Sequence, residues 1–208
     1  GFDAYSTSVG IREFYNIFAY DEMNFTETGC DAALNLNIEA MKIFYSALGN
    51  SSLGDGILSV AEGGLGVKVY SYNRYKDETF NTLEFLDSFY IQGGEADGLF
   101  SIGDYVIGGF NNDRGCYMAL LDSDGNIIGN LTFADGYSIN AIDYSNGTLA
   151  LAAGSDGIII YEWNESLSLA LKGILDTGSD NYIYDLKVLG DNIFVASENG
   201  ISIYKIGI

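Results

Sequence analysis

The chain has 208 residues, 48% of them hydrophobic and 14% aromatic, enough apolar surface for a substantial core and too much for wholesale disorder. Its net charge of −20 arises from 29 acids set against only 9 basic residues, a sign that repels phosphate backbones and anionic lipid and so excludes the usual nucleic-acid and electrostatic membrane partners. With no histidine it lacks the commonest general base and zinc ligand, two cysteines are too few for a cysteine-ligated metal site, and no apolar run nears the roughly 20 residues of a membrane-spanning helix.

Along the chain a glycine repeatedly introduces a short strand with apolar residues on alternate positions. The glycines are Gly10, Gly66, Gly115, Gly157 and Gly200, spaced by 56, 49, 42 and 43 residues, near the period of a four-stranded propeller blade. The opening stretches AYSTSVG, IREFYNIFAY and MNFTET read as the second, third and fourth strands of a first blade. Residues 31–49 carry two patterns: an amphipathic helix capped by Asp31 and Gly49, or a strand from about Ile38 to Tyr45. Register with later blades favours the strand, because IEAMKI then sits where INAIDY and YDLKVL sit. ILSVAEG, GVKVYSY and TLEFLDSFYI complete that blade.

The next blade reads ADGLFSI, DYVIGGF, GCYMALL and NIIGNLTF, with Asp124-Gly125 as a hairpin turn. The clearest one runs from Tyr137 to Asn181 as YSINAIDYS, TLALAAG, IIIYEW and LALKGIL, turning at Asn146-Gly147 and at Ser155-Asp156-Gly157. In IIIYEW both faces are apolar, so cover is needed on both sides, as stacked blades provide. The last segments are YIYDLKVL, NIFVAS and ISIYKIGI, with no fourth strand. The sequence therefore predicts an all-β fold, a single β-propeller domain over 1–208 of about five four-stranded blades, in units of approximately 1–30, 31–95, 96–136, 137–181 and 182–208. The first and last units count as incomplete. The strands total 18, which does not close: the chain is part of a longer propeller, the terminal strands are misread, or a neighbouring molecule supplies strands.

The phrases GSDGIIIYEW, SENGISIYKI and EGGLGVKVYSY resemble the blades of LVIVD-type propellers and are similar to those of WD-repeat proteins, over most of residues 54–208. The Trp-Asp dipeptide of the WD family is missing, since Asn164 follows Trp163, and its Gly-His element has no histidine to form it. The LVIVD resemblance implies an exported or surface protein.

Five N-x-S/T sequons, at Asn24, Asn50, Asn130, Asn146 and Asn164, exceed the roughly two expected by chance from 17 asparagines and 26 Ser plus Thr. They point to a glycosylated protein outside the cell or on its surface. Cys30 and Cys116 allow one disulfide. Aligning the first strands brings Glu39, Asp97, Asn140 and Asp185 into one column, whose carboxylates could bind Ca²⁺, sugar hydroxyls, or act as a glycosidase pair. A repeated position more often serves the repeat itself, accepting backbone N–H bonds at blade junctions. Asp122, Asp124 and Asn126 alternate as calcium ligands do, but Phe133 stands where an EF-hand needs its twelfth-position glutamate, so a hairpin turn is expected. Tyr70, Tyr72 and Tyr75, beside Arg74 and Lys76, form the best candidate for an exposed aromatic cluster. No enzyme and no bound cofactor is expected. The chain is expected to be a structural or binding module whose partners are other copies of itself, another surface protein or carbohydrate. The competing readings are an intracellular WD-like scaffold and a carbohydrate-active enzyme.

Overall fold

The structure, a computed structural model, describes residues 40–44, 56–73, 82–178 and 180–206. Fifteen strands lie there in four antiparallel sheets, each ordered as its sequence runs. The first sheet is β1 (Ala40–Phe44), β2 (Gly56–Ala61), β3 (Val67–Asn73) and β4 (Thr82–Phe89). The second is β5 (Ala96–Ile102), β6 (Tyr105–Phe110), β7 (Gly115–Leu121) and β8 (Ile127–Phe133). The third is β9 (Ala141–Ser145), β10 (Thr148–Ala152), β11 (Ile158–Trp163) and β12 (Leu169–Leu175). The fourth has three strands, β13 (Ile183–Leu189), β14 (Asn192–Ser197) and β15 (Gly200–Lys205).

The strand reading of residues 38–45 holds in shortened form, because β1 pairs Ala40 with Ala61 through to Phe44 with Ile57. YSINAIDYS becomes strand only from Ala141. Its first residues fold back on the β6–β7 loop instead: Gly115 N donates to Tyr137 O, and Ser138 Oγ both accepts from Asp113 N and donates to Asp113 Oδ1, each at 2.8–2.9 Å. The strands expected in residues 1–30 lie outside the described residues.

Consecutive sheets adjoin through their first strands, β1 to β5, β5 to β9 and β9 to β13. A backbone hydrogen bond repeats at each of these joints. Ala96 N donates to Gly63 O at 2.8 Å, Ile139 N to Phe110 O at 3.0 Å and Ile183 N to Gly154 O at 3.0 Å. Beyond the joint the sheet faces pack on each other. Ile57, Val67 and Val69 meet Leu99, Val106 and Leu121; Ile107, Cys116 and Met118 meet Ile142, Leu149, Ile159 and Trp163; Ala150 and Ile158 meet Leu186, Val188 and Ile193. In β11, Ile159 and Tyr161 face the second sheet while Ile158 faces the fourth, so this strand is covered on both sides as its composition requires. Each such fully buried large apolar side chain contributes roughly 1.5–3 kcal/mol.

The recurring glycine owes its place to the fourth strand. Gly157 has φ +87°, and a Cβ there would stand 2.2 Å from the carbonyl oxygen of Leu175 at the end of β12. Gly66 and Gly115 repeat this against Phe89 O and Phe133 O, at 2.3 and 2.4 Å. Beside Gly200, whose sheet has no fourth strand among the described residues, a Cβ would meet nothing within 4 Å.

Candidate functional site

The acidic column drawn from the sequence does not survive as one line. Ala96 pairs with Phe110 and Gly98 with Gly109, which leaves Asp97 as the extra residue of a bulge. Tyr184 is the extra residue in β13, between Ile183 paired with Ser197 and Asp185 paired with Ala196. In the third sheet Ala141 pairs with Ala152. Counting from these pairs, Asp97, Asn140 and Tyr184 occupy one position, and Asp185 falls one place further on with Gly98 and Ala141. A one-residue slip turns a strand side chain to the opposite face, so Asp185 leaves the column. Glu39 lies outside the described residues.

Asn140 is engaged on both sides of its amide. Its Nδ2 donates to Ile183 O at 2.8 Å and its Oδ1 accepts from the Tyr182 hydroxyl at 3.2 Å, so it ties the third sheet to the fourth. Asp185 is exposed and accepts from the backbone N–H of Leu186 at 2.8 Å. Asp97 is half-buried on its bulge. Among the described residues, no three His, Cys, Asp or Glu side chains are grouped to hold a metal ion.

The strongest polar contact at this joint falls on a residue the sequence did not single out. Buried Asp143 receives Lys187 Nζ on one carboxylate oxygen at 2.6 Å and Val188 N–H on the other at 2.7 Å. Asp143 and Lys187 occupy equivalent places on neighbouring first strands, three residues beyond Asn140 and Tyr184. With the register shifted by one, the sequence would have paired them by charge. Similar ties join the first and second sheets, where Ser59 and Ser101 hydroxyls lie 3.2 Å apart and Asp87 accepts from Ile127 N at 3.0 Å.

Asp122 closes the β7–β8 hairpin, accepting from the N–H groups of Asp124 and Asn126 at 2.9 Å each and from the Asn126 amide at 3.2 Å. Those bonds, first from Asn126, hold its carboxyl below the usual range. This is the expected turn, with its oxygens turned to the chain's own donors. Tyr70 departs from the expected exposed cluster. It is half-buried, edge-on to Phe85 at 5.9 Å, and its hydroxyl donates to Glu62 at 3.3 Å. Burial, then the neighbouring carboxylate, push its phenol far above the ordinary value. Glu62 is itself buried and paired with Lys68 at 2.6 Å. Tyr72 ends in β3, while Arg74, Tyr75 and Lys76 lie outside the described residues.

Three sequon asparagines are described, and all are exposed: Asn130 on outer strand β8, Asn146 at φ 50° in the β9–β10 turn, and Asn164 just after β11. Asn24 and Asn50 lie outside the described residues. Cys116 is a free thiol buried between the second and third sheets, and burial pushes its pKa far up; Cys30 lies outside the described residues.

Four successive antiparallel sheets, joined first strand to first strand, define a WD-repeat-like β-propeller fold. No family model matches the sequence, and no curated protein matches it. Solved structures do. The WD40 β-propeller domain of Doa1 is similar with a TM-score of 0.54 at 15% identity, covering 81% of this chain and 50% of that one. A chain of the Mitotic Checkpoint Complex gives 0.53 at 13%, covering 83% and 53%. The computationally designed Ika4 protein gives 0.54 at 13%, covering 79% and 98%. The chain thus spans about half the length of the first two and nearly all of the designed one.

Proposed function

We propose that this chain is a non-enzymatic interaction module, a propeller of about five blades with LVIVD-type repeats, carried as a glycoprotein outside the cell or on its surface. Its partners are other proteins, its own copies among them. The observation that carries the reading is where its polar side chains are spent. Asn140, Asp143, Asp87 and Ser59 join one sheet to the next. Among the described residues, these polar side chains serve the joints between sheets, which favours a role for the surface. A similar chain in the Mitotic Checkpoint Complex belongs to a protein assembly, which supports an interaction role.

The glycoprotein part rests on the exposure of Asn130, Asn146 and Asn164, each with room for a bulky glycan. Intact mass of the protein from its native source, before and after enzymatic removal of N-glycans, tests it. The expected result is a loss of one glycan mass for each occupied sequon. A native mass equal to that of the bare chain would refute the glycoprotein reading and leave an intracellular scaffold.

A further inference from the structure

We infer that a glycan on Asn130 shields β8, the outer strand of the second sheet, from pairing with a strand of another chain; this rests on the glycoprotein reading given above and gives one of its sequons a task. β4, β8 and β12 are the fourth strands of their sheets, each paired on one side only among the described residues. A strand so placed offers backbone N–H and C=O groups to any extended chain that comes alongside, and a charge on the strand is the common deterrent. Exposed apolar side chains sharpen the hazard on all three. Phe85 on β4 is 54% exposed, Ile128 on β8 62% and Leu171 on β12 57%.

β4 and β12 carry charges beside these residues: Phe85 follows Glu84 and stands two places before Asp87, and Leu171 precedes Lys172. β8 reads IIGNLTF and has no charged residue. At its centre is Asn130, which lies within a strand, whereas Asn146 and Asn164 stand in a turn and just after a strand. Its place in the repeat is that of Lys172. Phe89, Phe133 and Leu175 lie against Gly66, Gly115 and Gly157, and three residues before each stand Leu86, Asn130 and Lys172. Leu86 packs on the core between the first and second sheets, and the residue after it, Asp87, is that strand's charge.

The spacing of the strand makes a glycan an effective block. Ile128, Asn130 and Thr132 are its exposed residues, at alternate positions with Asn130 in the middle. A strand added to β8 would lie about 4.8 Å away, with its side chains about 4.5–5.5 Å from those of β8. A bulky, hydrated glycan rooted between Ile128 and Thr132 fills that space and covers both neighbours.

The test uses the complete 208-residue chain made in a host that attaches N-glycans, at tens of micromolar in about 0.15 M salt, where repulsion between acidic chains is screened beyond roughly 8 Å. Asn130→Gln and Thr132→Ala each abolish this sequon and leave the other four. Both are expected to sediment at roughly twice the parent mass or more, with an unchanged circular dichroism spectrum and with β8 amide hydrogens that exchange more slowly than in the parent. Asn130→Lys also lacks the glycan but puts on β8 the charge that Lys172 puts on β12, and it should sediment as the parent does. Asn146→Gln, which removes a glycan from a turn, should do the same. Intact mass of the parent, measured after proteolysis as well, gives the occupancy of each sequon. An occupied Asn130 whose loss leaves the sedimenting mass unchanged would overturn the inference and spare the glycoprotein reading, whereas bare asparagine at every sequon would overturn both. An Asn130→Lys chain that associates as Asn130→Gln does would trace the association to something other than an open strand edge and overturn the inference equally.

Discussion

Asp143 and Lys187 show how unevenly the burden of an ion pair is shared between its partners. The lysine side chain is 67% exposed and the aspartate side chain 3%, so removing the lysine leaves a buried carboxylate with Val188 N–H as its remaining donor. Breaking a buried pair from one side costs about 3–5 kcal/mol, and solvent around Lys187 lowers the expected loss to about 1–3 kcal/mol for Lys187→Met. Lys172, paired with Glu162 on an exposed outer strand, supplies the control: Lys172→Met should cost less than about 0.5 kcal/mol. Urea midpoints of the two variants check the order, and equal small shifts would mean that Asp143 is not held by its lysine. At this scale the sequence misled. Asp97, Asn140 and Asp185 look alike in the string, but the bulged residue in β13 carries no local signature, and alternating apolar residues fit either register.

At the scale of the strand and turn the sequence was far more legible, because the features that set the turns are steric and local. Gly157 was visible as the start of IIIYEW; why it must be glycine was not, since the atom it makes room for, Leu175 O, is 18 residues away in β12. Gly157→Ala must both relieve a 2.2 Å contact with backbone and hold a non-glycine residue at φ +87°, so a loss of about 3 kcal/mol or more is expected. Gly200→Ala carries the conformational cost alone, at φ +104° with open space around it, and about 1–2 kcal/mol is expected. Chemical denaturation of both variants distinguishes close approach from backbone conformation as the origin of the repeat. If Gly200→Ala is as damaging as Gly157→Ala, a strand lies beside Gly200 in solution, and the fourth sheet is completed there. The same comparison separates what could be read from what could not. A strand such as β8 alternates residue by residue and β6, β10 and β11 are short apolar runs, all readable locally, whereas sheet closure depends on residues far apart in sequence.

Over the whole molecule the charge imbalance has to be carried by the folded state. Of 9 basic residues, Lys68, Lys172 and Lys187 are committed to single carboxylates, which leaves most of the 29 acids with no cationic partner among the described residues. Unpaired acids repel through solvent, over roughly 30 Å at 0.01 M salt and roughly 8 Å at 0.15 M, while the buried pairs at Glu62 and Asp143 are screened far less. Adding sodium chloride therefore removes more repulsion than attraction, and the thermal midpoint should rise between these two concentrations. For a chain of this size about 1 kcal/mol corresponds to about 2–4 °C, and a rise of that order is expected. Chloride is the right anion, since sulfate strengthens apolar burial in any protein. Salt also favours the pairing of two acidic chains, which would raise the midpoint by mass action. Protein concentration separates the effects: a rise with salt that is the same at every concentration belongs to the single chain. A midpoint that falls with salt would mean that local ion pairs outweigh the net charge.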